Sequence, residues 1–514
     1  MKFFTTLLLI THIGMSLTAE ILMVTMGGTK SHKIPFWELS RGLINRGHNI
    51  TFLNGFTPDF SLNGLHEITP SGLVDYIHNY TNWDLLGARM AGKMPVSAWD
   101  VLRYPFQSCE AMLEDEETKE LLYRTFDLAI LDGAFPECAL GLVYKLKIPF
   151  MFINTVAFYT GALSVAGNPT PFSITPAFYA PISDNMNFLE RISNAGMIMF
   201  AYFMHKFVAM PPVHMILKQN LGMDVPHPYE IGKNVSFILQ NGHFSVTYPR
   251  PFLPNVAEVA CIHCKPAKPL PKDLEDFVNS SGDTGFIYIS MGSSVKAANM
   301  PEKLRKLLVK TFARLPYHVL WKWESSITSM HDLPTNIKLR RWLPQQDILG
   351  HKKLRAFITH GGLLSMFESV YHGVPIVSIP VFCDHDANAF KAELDGYALV
   401  LKLEQLTSDQ LYRAINRIIH DPKYKENAKI RQKMLLDQRT TPLETAVYWT
   451  EYVLRHKGAY HLQSPGRNLN WIQYYLVDIV LTLVAAVILL IFILKRLLKQ
   501  LDFIRFQGTK QKKL

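Results

Sequence analysis

Between positions 342 and 388 the chain sets out residues that suit one kind of ligand, a nucleoside diphosphate bearing polar hydroxyls. The apolar run Ala356-Phe357-Ile358-Thr359 predicts a short buried strand, and His360-Gly361-Gly362 turns it into a helix expected over 363–371. Glycines just before a helix leave free amides at its positive dipole end, a ready anion site. His360 could donate to a phosphate oxygen there, or simply cap the turn. Glu368 stands two turns beyond Gly361 and shares its face, where a carboxylate suits two ribose hydroxyls; a solvated helix-face glutamate is the plainer reading. Trp342 offers a flat face for a base, or a core side chain, and Gln345 beside it can meet that base's edge. Asp384 and His385 can meet further hydroxyls.

A second pair could move a proton. His32 ends the loop Gly27-Gly28-Thr29-Lys30-Ser31-His32 after a strand expected over 21–25, and Asp132 follows a strand expected over 127–131. Histidine is the natural general base near neutral pH, and an adjacent aspartate orients it and stabilises its protonated form. Taken singly, the two would read as a loop histidine and a helix cap.

These residues need a frame. Strands over 21–25, 49–53, 127–131 and 149–153 alternate with helices over 35–46 and 138–145, which implies a parallel sheet with crossovers. The pattern restarts with a strand over 285–290, ending in Met291-Gly292-Ser293, and another over 318–322. Open parallel sheets bind ligands beyond the carboxyl ends of their strands, so both halves should turn loops toward a shared cleft. Neither first loop has Gly-x-Gly-x-x-Gly spacing, which disfavours a nicotinamide enzyme. Between the halves, prolines from Pro249 to Pro271 mark the best boundary. The stretch 168–228, rich in Pro, Met and Phe, lacks the α/β rhythm and reads as an insertion over the cleft. With loops near 106–112 it would form an apolar acceptor pocket.

The expected organisation is therefore a signal peptide (1–19), an N-terminal domain (20–247), a Pro-rich linker (248–271) and a C-terminal domain (272–440). A returning helix and juxtamembrane segment (441–472), a transmembrane helix (473–494) and a basic tail (495–514) follow. Roughly 20 apolar residues match a bilayer's hydrocarbon thickness. By the positive-inside rule the tail, whose seven basic residues oppose Asp502 alone, is cytosolic and the body luminal. That tail carries most of the formal net charge of +10, so the body is near neutral and a nucleic-acid partner is disfavoured. The ending Lys510-Gln511-Lys512-Lys513-Leu514 has the form of a dilysine retrieval address. Sequons begin at Asn79, Asn234 and Asn279; a fourth, at Asn49, opens an expected buried strand. Five cysteines, an odd count, argue against a disulfide framework, and Cys261-Ile262-His263-Cys264 lacks the second pair a zinc site needs.

Taken together, the 342–388 segment strongly resembles the signature of the membrane-bound UDP-glycosyltransferases, of the animal glucuronosyl- and glucosyltransferase type and insect-like. The likeness covers nearly the whole chain: the Ser31-His32 loop, the linker 262–271, the run from Trp449 to Ala459, the anchor and the basic end. It implies an α/β, GT-B fold, with two facing Rossmann-like domains of parallel sheets plus a C-terminal transmembrane helix. The N-terminal domain would take the acceptor and the C-terminal domain the UDP-sugar. It implies that His32 and Asp132 are the catalytic dyad and that Trp342 and Gln345 meet uracil. Glu368 would hold the ribose, Ser293 and His360 the diphosphate, and Asp384 and His385 the sugar. Two departures stand out. Leu364-Ser365 replaces the Asn-Gly of many relatives, and His385 replaces the usual Gln, an exchange linked in plant relatives with galactose.

The expected activity is inverting, metal-independent transfer of a hexosyl group, glucose foremost, from a UDP-sugar to a hydroxyl of a small lipophile such as a phenol or steroid. No cofactor beyond the UDP-sugar co-substrate is expected. The alternative is a catalytically silent, membrane-anchored binder of nucleotide sugars or lipophiles. The expected location is the endoplasmic reticulum membrane, single-pass, and a homo-oligomer stays open.

Overall fold

The computed structural model describes residues 18–511 except 59, 60, 81, 158, 326–329 and 331, with side chains up to Leu501. Most of the expected signal peptide, Thr81 of the Asn79 sequon and most of the dilysine address lie outside the described residues. The chain divides into two compact units, Met1–Gln463 and Ser464–Leu514.

The first unit is built on two sheets. Strands β1 (Glu20–Thr25), β2 (Asn49–Asn54), β3 (Leu65–Ile68), β4 (Leu128–Asp132), β5 (Phe150–Asn154), β6 (Phe237–Gln240) and β7 (Val256–Glu258) lie in the order β3-β2-β1-β4-β5-β6-β7. Strands β8 (Phe286–Ser290), β9 (His318–Lys322), β10 (Ile337–Arg340), β11 (Leu354–Thr359), β12 (Ile376–Ser378) and β13 (Ala398–Val400) lie in the order β10-β9-β8-β11-β12-β13. Every pairing is parallel. Parallel sheets are covered by helices on both faces, so their strands are apolar on both. Strand β8 shows this: Ile287 and Ile289 enter one core, Phe286 and Tyr288 the other. In the first sheet Leu22 and Val24 face one core while Ile21 and Met23 face the second.

Strand order reverses between β1 and β4, and again between β8 and β11. Such switch points open a crevice at the carboxyl ends, because flanking loops depart in opposite directions. His32 and Asp132 belong to the first crevice; Ser293 and His360-Gly361-Gly362 belong to the second. The helix Pro442–Arg455 returns to the first sheet, where Ala446 and Val453 join its core and Trp449 stacks on Phe237 at 4.4 Å.

Several expectations need correction. The first helix begins a turn earlier, at Lys30 rather than 35, with Pro35 inside it. Pro35, past the first turn, costs one intrahelical hydrogen bond, yet it and its neighbours Phe36 and Trp37 are buried against the sheet, so packing rather than the proline sets the boundary. The Pro-rich passage is not all connector, since β7 within it completes the first sheet. The stretch 168–228 is largely helical, with Phe188–Met204 and Met210–Leu221. The expected loops near 106–112 are part of the helix Ala98–Leu113, with Cys109 and Met112 in the core. Despite the odd count, Cys109 bonds Cys138 and Cys261 bonds Cys264, leaving Cys383 free. Cys109 and Cys138 lie 29 residues apart, so only tertiary packing of their two helices pairs them. Asn49 opens β2 with its side chain exposed, bonded to Glu20.

In the second unit a helix runs over Val477–Gln511, of which Val477–Leu501 is long and apolar enough to cross a membrane, its most apolar 18 residues having mean hydropathy 3.1. It continues past the expected end at 494, because Lys495, Arg496 and Lys499 favour helix as readily as the apolar run does.

Candidate active site

Asp132 ends β4 with its carboxylate wholly buried. Four donors converge on it. Oδ2 accepts from Thr25 Oγ1 at 2.9 Å and faces His32 Nδ1 at 2.8 Å; Oδ1 accepts from Thr155 Oγ1 at 2.8 Å and from the Ala134 amide at 3.0 Å. Such a cage orients the carboxylate and fixes the proton of His32 on Nδ1, leaving Nε2 as the basic nitrogen. His32 is therefore not a loop residue but sits in the first turn of its helix, whose backbone holds the ring in place. Burial lowers its pKa, but the charge and hydrogen bond of Asp132, with Asp384 adding, outweigh that and raise it above the usual 6.5. The structure thus brings the two sequence-predicted dyad residues together.

Thr155, just past β5, was not legible in the sequence. Its hydroxyl donates to Asp132 and lies 2.8 Å from His32 Nδ1, so it can share that N–H with Asp132. Thr155→Val keeps the shape and deletes both contacts. Turnover should fall about tenfold, the effect of ~1.4 kcal/mol, with Thr155→Ser restoring it and UDP affinity unchanged. Equal turnover in Val and wild type would deny Thr155 a positioning role.

In the second lobe, the helix Leu363–Tyr371 starts at Gly362 with no side-chain cap, so its first amides stay open to an anion. His360 is buried between two glycines. A Cβ on Gly292 or Gly362 would fall 2.3 or 2.4 Å from its ring, so close approach of the two turns requires glycine there. Burial first, then the Lys322 charge, lowers the His360 pKa to about 3, leaving a neutral ring that donates one N–H. Gly361 O accepts from Asn388 Nδ2, which also donates to Asp384. Ser293 lies exposed on the turn after β8.

Glu368 is clamped on both oxygens: His263 Nε2 stands 3.1 Å from Oε1, and Gln345 Nε2 donates to Oε2 at 2.6 Å. Gln345 also donates to Ser365 and accepts from Tyr288, so Gln345, Ser365 and Glu368 form one cluster. Each carboxylate oxygen retains a further acceptor direction. Trp342 is no core residue, being 70% exposed, and its ring lies about 6 Å from the ammonium groups of Lys30 and Lys322. His385 is buried edge-on against His360 at 4.5 Å, its Nδ1 facing the Phe382 amide. Burial, then His360 and Arg89, hold its pKa well down, so it too is neutral.

His263 and Lys322 escaped sequence reasoning. The first lies in the connector, and the second ends β9 with its ammonium bonded to Gly292 O beside the His360 turn. A lysine closing a strand beside a glycine turn was the available signal for Lys322.

The two lobes face each other. Asp384 and His32 act on each other electrostatically across the cleft. Arg89 of the first lobe pairs with Asp386 and Glu404 of the second, Lys265 pairs with Glu38, and Leu85 and Leu86 enter the second lobe's core. A chain of ring contacts runs from His32 through Phe135 at 5.7 Å and the core residue Tyr104 to Tyr80 and Tyr76.

Residues 77–513 match the family model described as UDP-glucoronosyl and UDP-glucosyl transferase. The chain is 32% identical to UDP-glucosyltransferase 2 of Dactylopius coccus, covering 93% of this chain and 92% of that protein. It is 37% identical to UDP-glucuronosyltransferase 2B17 of Homo sapiens over 77% of this chain and 74% of that one. It is 32% identical to 2-hydroxyacylsphingosine 1-beta-galactosyltransferase of Rattus norvegicus, over 96% and 90%. Among solved structures, CalG4, the calicheamicin glycosyltransferase, superposes with a TM-score of 0.55 at 19% identity, covering 85% of this chain and 99% of that one. The glycosyltransferase VinC in complex with DTDP gives 0.53 at 17% identity, over 85% and 100%. The architecture shared with them is GT-B.

Proposed function

Because the chain belongs to the UDP-glucoronosyl and UDP-glucosyl transferase family, we propose that it transfers glucose from UDP-glucose to a hydroxyl of a small lipophile, with inversion and with His32 as base. The observation that carries this is the His32–Asp132 pair, caged so that Nε2 is free, standing across the cleft from Asp384. The acceptor O–H gives its proton to His32 Nε2 as its oxygen bonds to the anomeric carbon. The bond from that carbon to the diphosphate oxygen breaks, and UDP leaves with the electron pair. Developing charge on UDP is met by the open amides of Leu363–Tyr371, by the Lys322 ammonium and by the neutral N–H of His360, with Ser293 alongside. These groups supply the needed positive field, so the step calls for no metal and no cofactor. Trp342 stacks the uracil, Gln345 and Ser365 flank it, and Glu368 takes the ribose.

Glucose is favoured over glucuronate because the sugar end presents Asp384 and a neutral His385. Arg89, the cation that His385 senses, already pairs with Asp386 and Glu404. Galactose remains the competitor, given His385 and the similarity to a galactosyltransferase. Turnover with UDP-glucose, UDP-galactose and UDP-glucuronate on one phenol tests this; preference for glucuronate would overturn the sugar assignment. The half-buried rings of Phe135, Tyr80 and Tyr76 suit a phenolic or steroidal acceptor.

Glu368→Ala should weaken UDP binding about 10- to 100-fold, the effect of losing a charged hydrogen bond of ~1.5–3 kcal/mol. Calorimetric titration with UDP measures it, and unchanged affinity removes Glu368 from the ribose role. The apolar helix and following basic residues support a single-pass anchor in the endoplasmic reticulum membrane with the body luminal. Asn79, Asn234 and Asn279 are all exposed, which suits glycosylation there.

A further inference from the structure

The helix Phe188–Met204 is amphipathic the wrong way round for a soluble surface. Asn194 is its one buried side chain, accepting from the Ala177 amide and donating to Phe172 O and Thr175 O. The outward face carries Leu189 (72% exposed), Ile192, Met199, Phe200 (65% exposed) and Phe203, and after one π turn Phe207. Spacings of three, four and seven put these on a single stripe. A contiguous apolar surface rimmed by polar groups marks an interaction site.

Two features select the occupant. At the stripe's end Lys206 lays its stem over the rings of Tyr202, Phe207 and Tyr229, within 5.4–5.7 Å. Cations and tyrosines that combine an apolar body with a polar tip are the residues of a membrane–water boundary. The second feature is the exit of the chain. Gln463, last residue of the first unit, donates to the carbonyls of Asn234 and Val235. Those residues follow the short helix Pro228–Gly232, whose Tyr229 ring meets Tyr202 and His205 at 5.8 Å. The first unit therefore ends near the stripe.

We propose that this stripe lies in the headgroup–acyl boundary of the bilayer, a second membrane contact made by the N-terminal lobe. Interfacial helices of this kind bury an apolar face roughly 5–10 Å deep while keeping the opposite face polar; here the opposite face is docked on the protein. The inference rests on the anchoring reading above.

The test uses the full chain in phosphatidylcholine vesicles, with p-benzoylphenylalanine placed at Phe200 and, as control, at Tyr123, 91% exposed elsewhere. Irradiation should yield lipid adducts at Phe200 at least tenfold above Tyr123. Equal yields would overturn the proposal. So would a product of twice the chain mass from Phe200, which would make the stripe a contact between two copies. Alkaline carbonate extraction of the same vesicles separates the readings. Release of the wild-type chain would defeat the anchor, whereas retention with no lipid adduct at Phe200 would defeat the stripe alone.

Discussion

His32→Ala should abolish transfer to hydroxyl acceptors, lowering turnover about 10³-fold or more, within the usual reach of a general base, while UDP binds as before. The two effects separate because His32 belongs to the first lobe, whereas the predicted contacts of UDP come from the second. His32 has its ring 5.7 Å from Phe135 and its Nδ1 committed to Asp132 and Thr155. Truncation leaves the acceptor hydroxyl without a base. UDP release assayed on a phenol, with UDP affinity measured beside it, decides the matter. Undiminished turnover would remove His32 from its role, and a parallel loss of UDP binding would point to misfolding instead.

Asp132→Asn should be nearly as damaging, and its pH signature is more specific. Oδ1 and Oδ2 each accept from two donors, so an amide nitrogen in either position faces donors with a donor. That mismatch costs about 1–3 kcal/mol of stability. The larger loss is in rate, since the amide no longer stabilises the imidazolium, and a fall of about 10²- to 10⁴-fold is expected. The sign of the pH effect follows from the base form being neutral. Asp132 holds the His32 pKa above 6.5, so wild-type kcat/KM rises with pH through an inflection above that value. The stabilisation from the charged pair is full below 6.5 and is lost as pH rises through the raised pKa. In Asp132→Asn the lowering by burial is no longer opposed by Asp132, so the inflection moves to lower pH. A wild-type inflection below 6.5, or one unmoved in the variant, would break the dyad assignment.

The dyad shows how far residue types alone carry. His32 and Asp132 were legible because one closes the glycine loop after an unmistakable apolar strand and the other stands at the end of a second, and because the pairing of a base with a carboxylate has few other uses. Yet His32 was read as a loop residue. Pro35 suggested a later helix start, and only the backbone bond from His32 N to Thr29 O at 3.0 Å shows the first turn closing earlier. Trp342 kept a core alternative until its exposure removed it. The stretch 168–228 read as irregular because prolines dominate its outline, whereas the proline-free span between them forms the helix Phe188–Met204.

The sequence by itself determined the two parallel sheets, the glycine turn before Leu363–Tyr371, the positions of His32, Asp132 and Glu368, and the apolar span. Each of these is written in periodicity or in residue types a few positions apart, which local sterics and burial translate directly. Only tertiary structure decided that Thr25 and Thr155 cage Asp132, that His263 and Gln345 clamp Glu368, that Lys322 reaches the Gly292 turn and that Cys109 meets Cys138. Those contacts arise where parallel strands or whole lobes are laid side by side. Residues distant along the chain become neighbours there through packing, for which no local pattern of residues is a sufficient record.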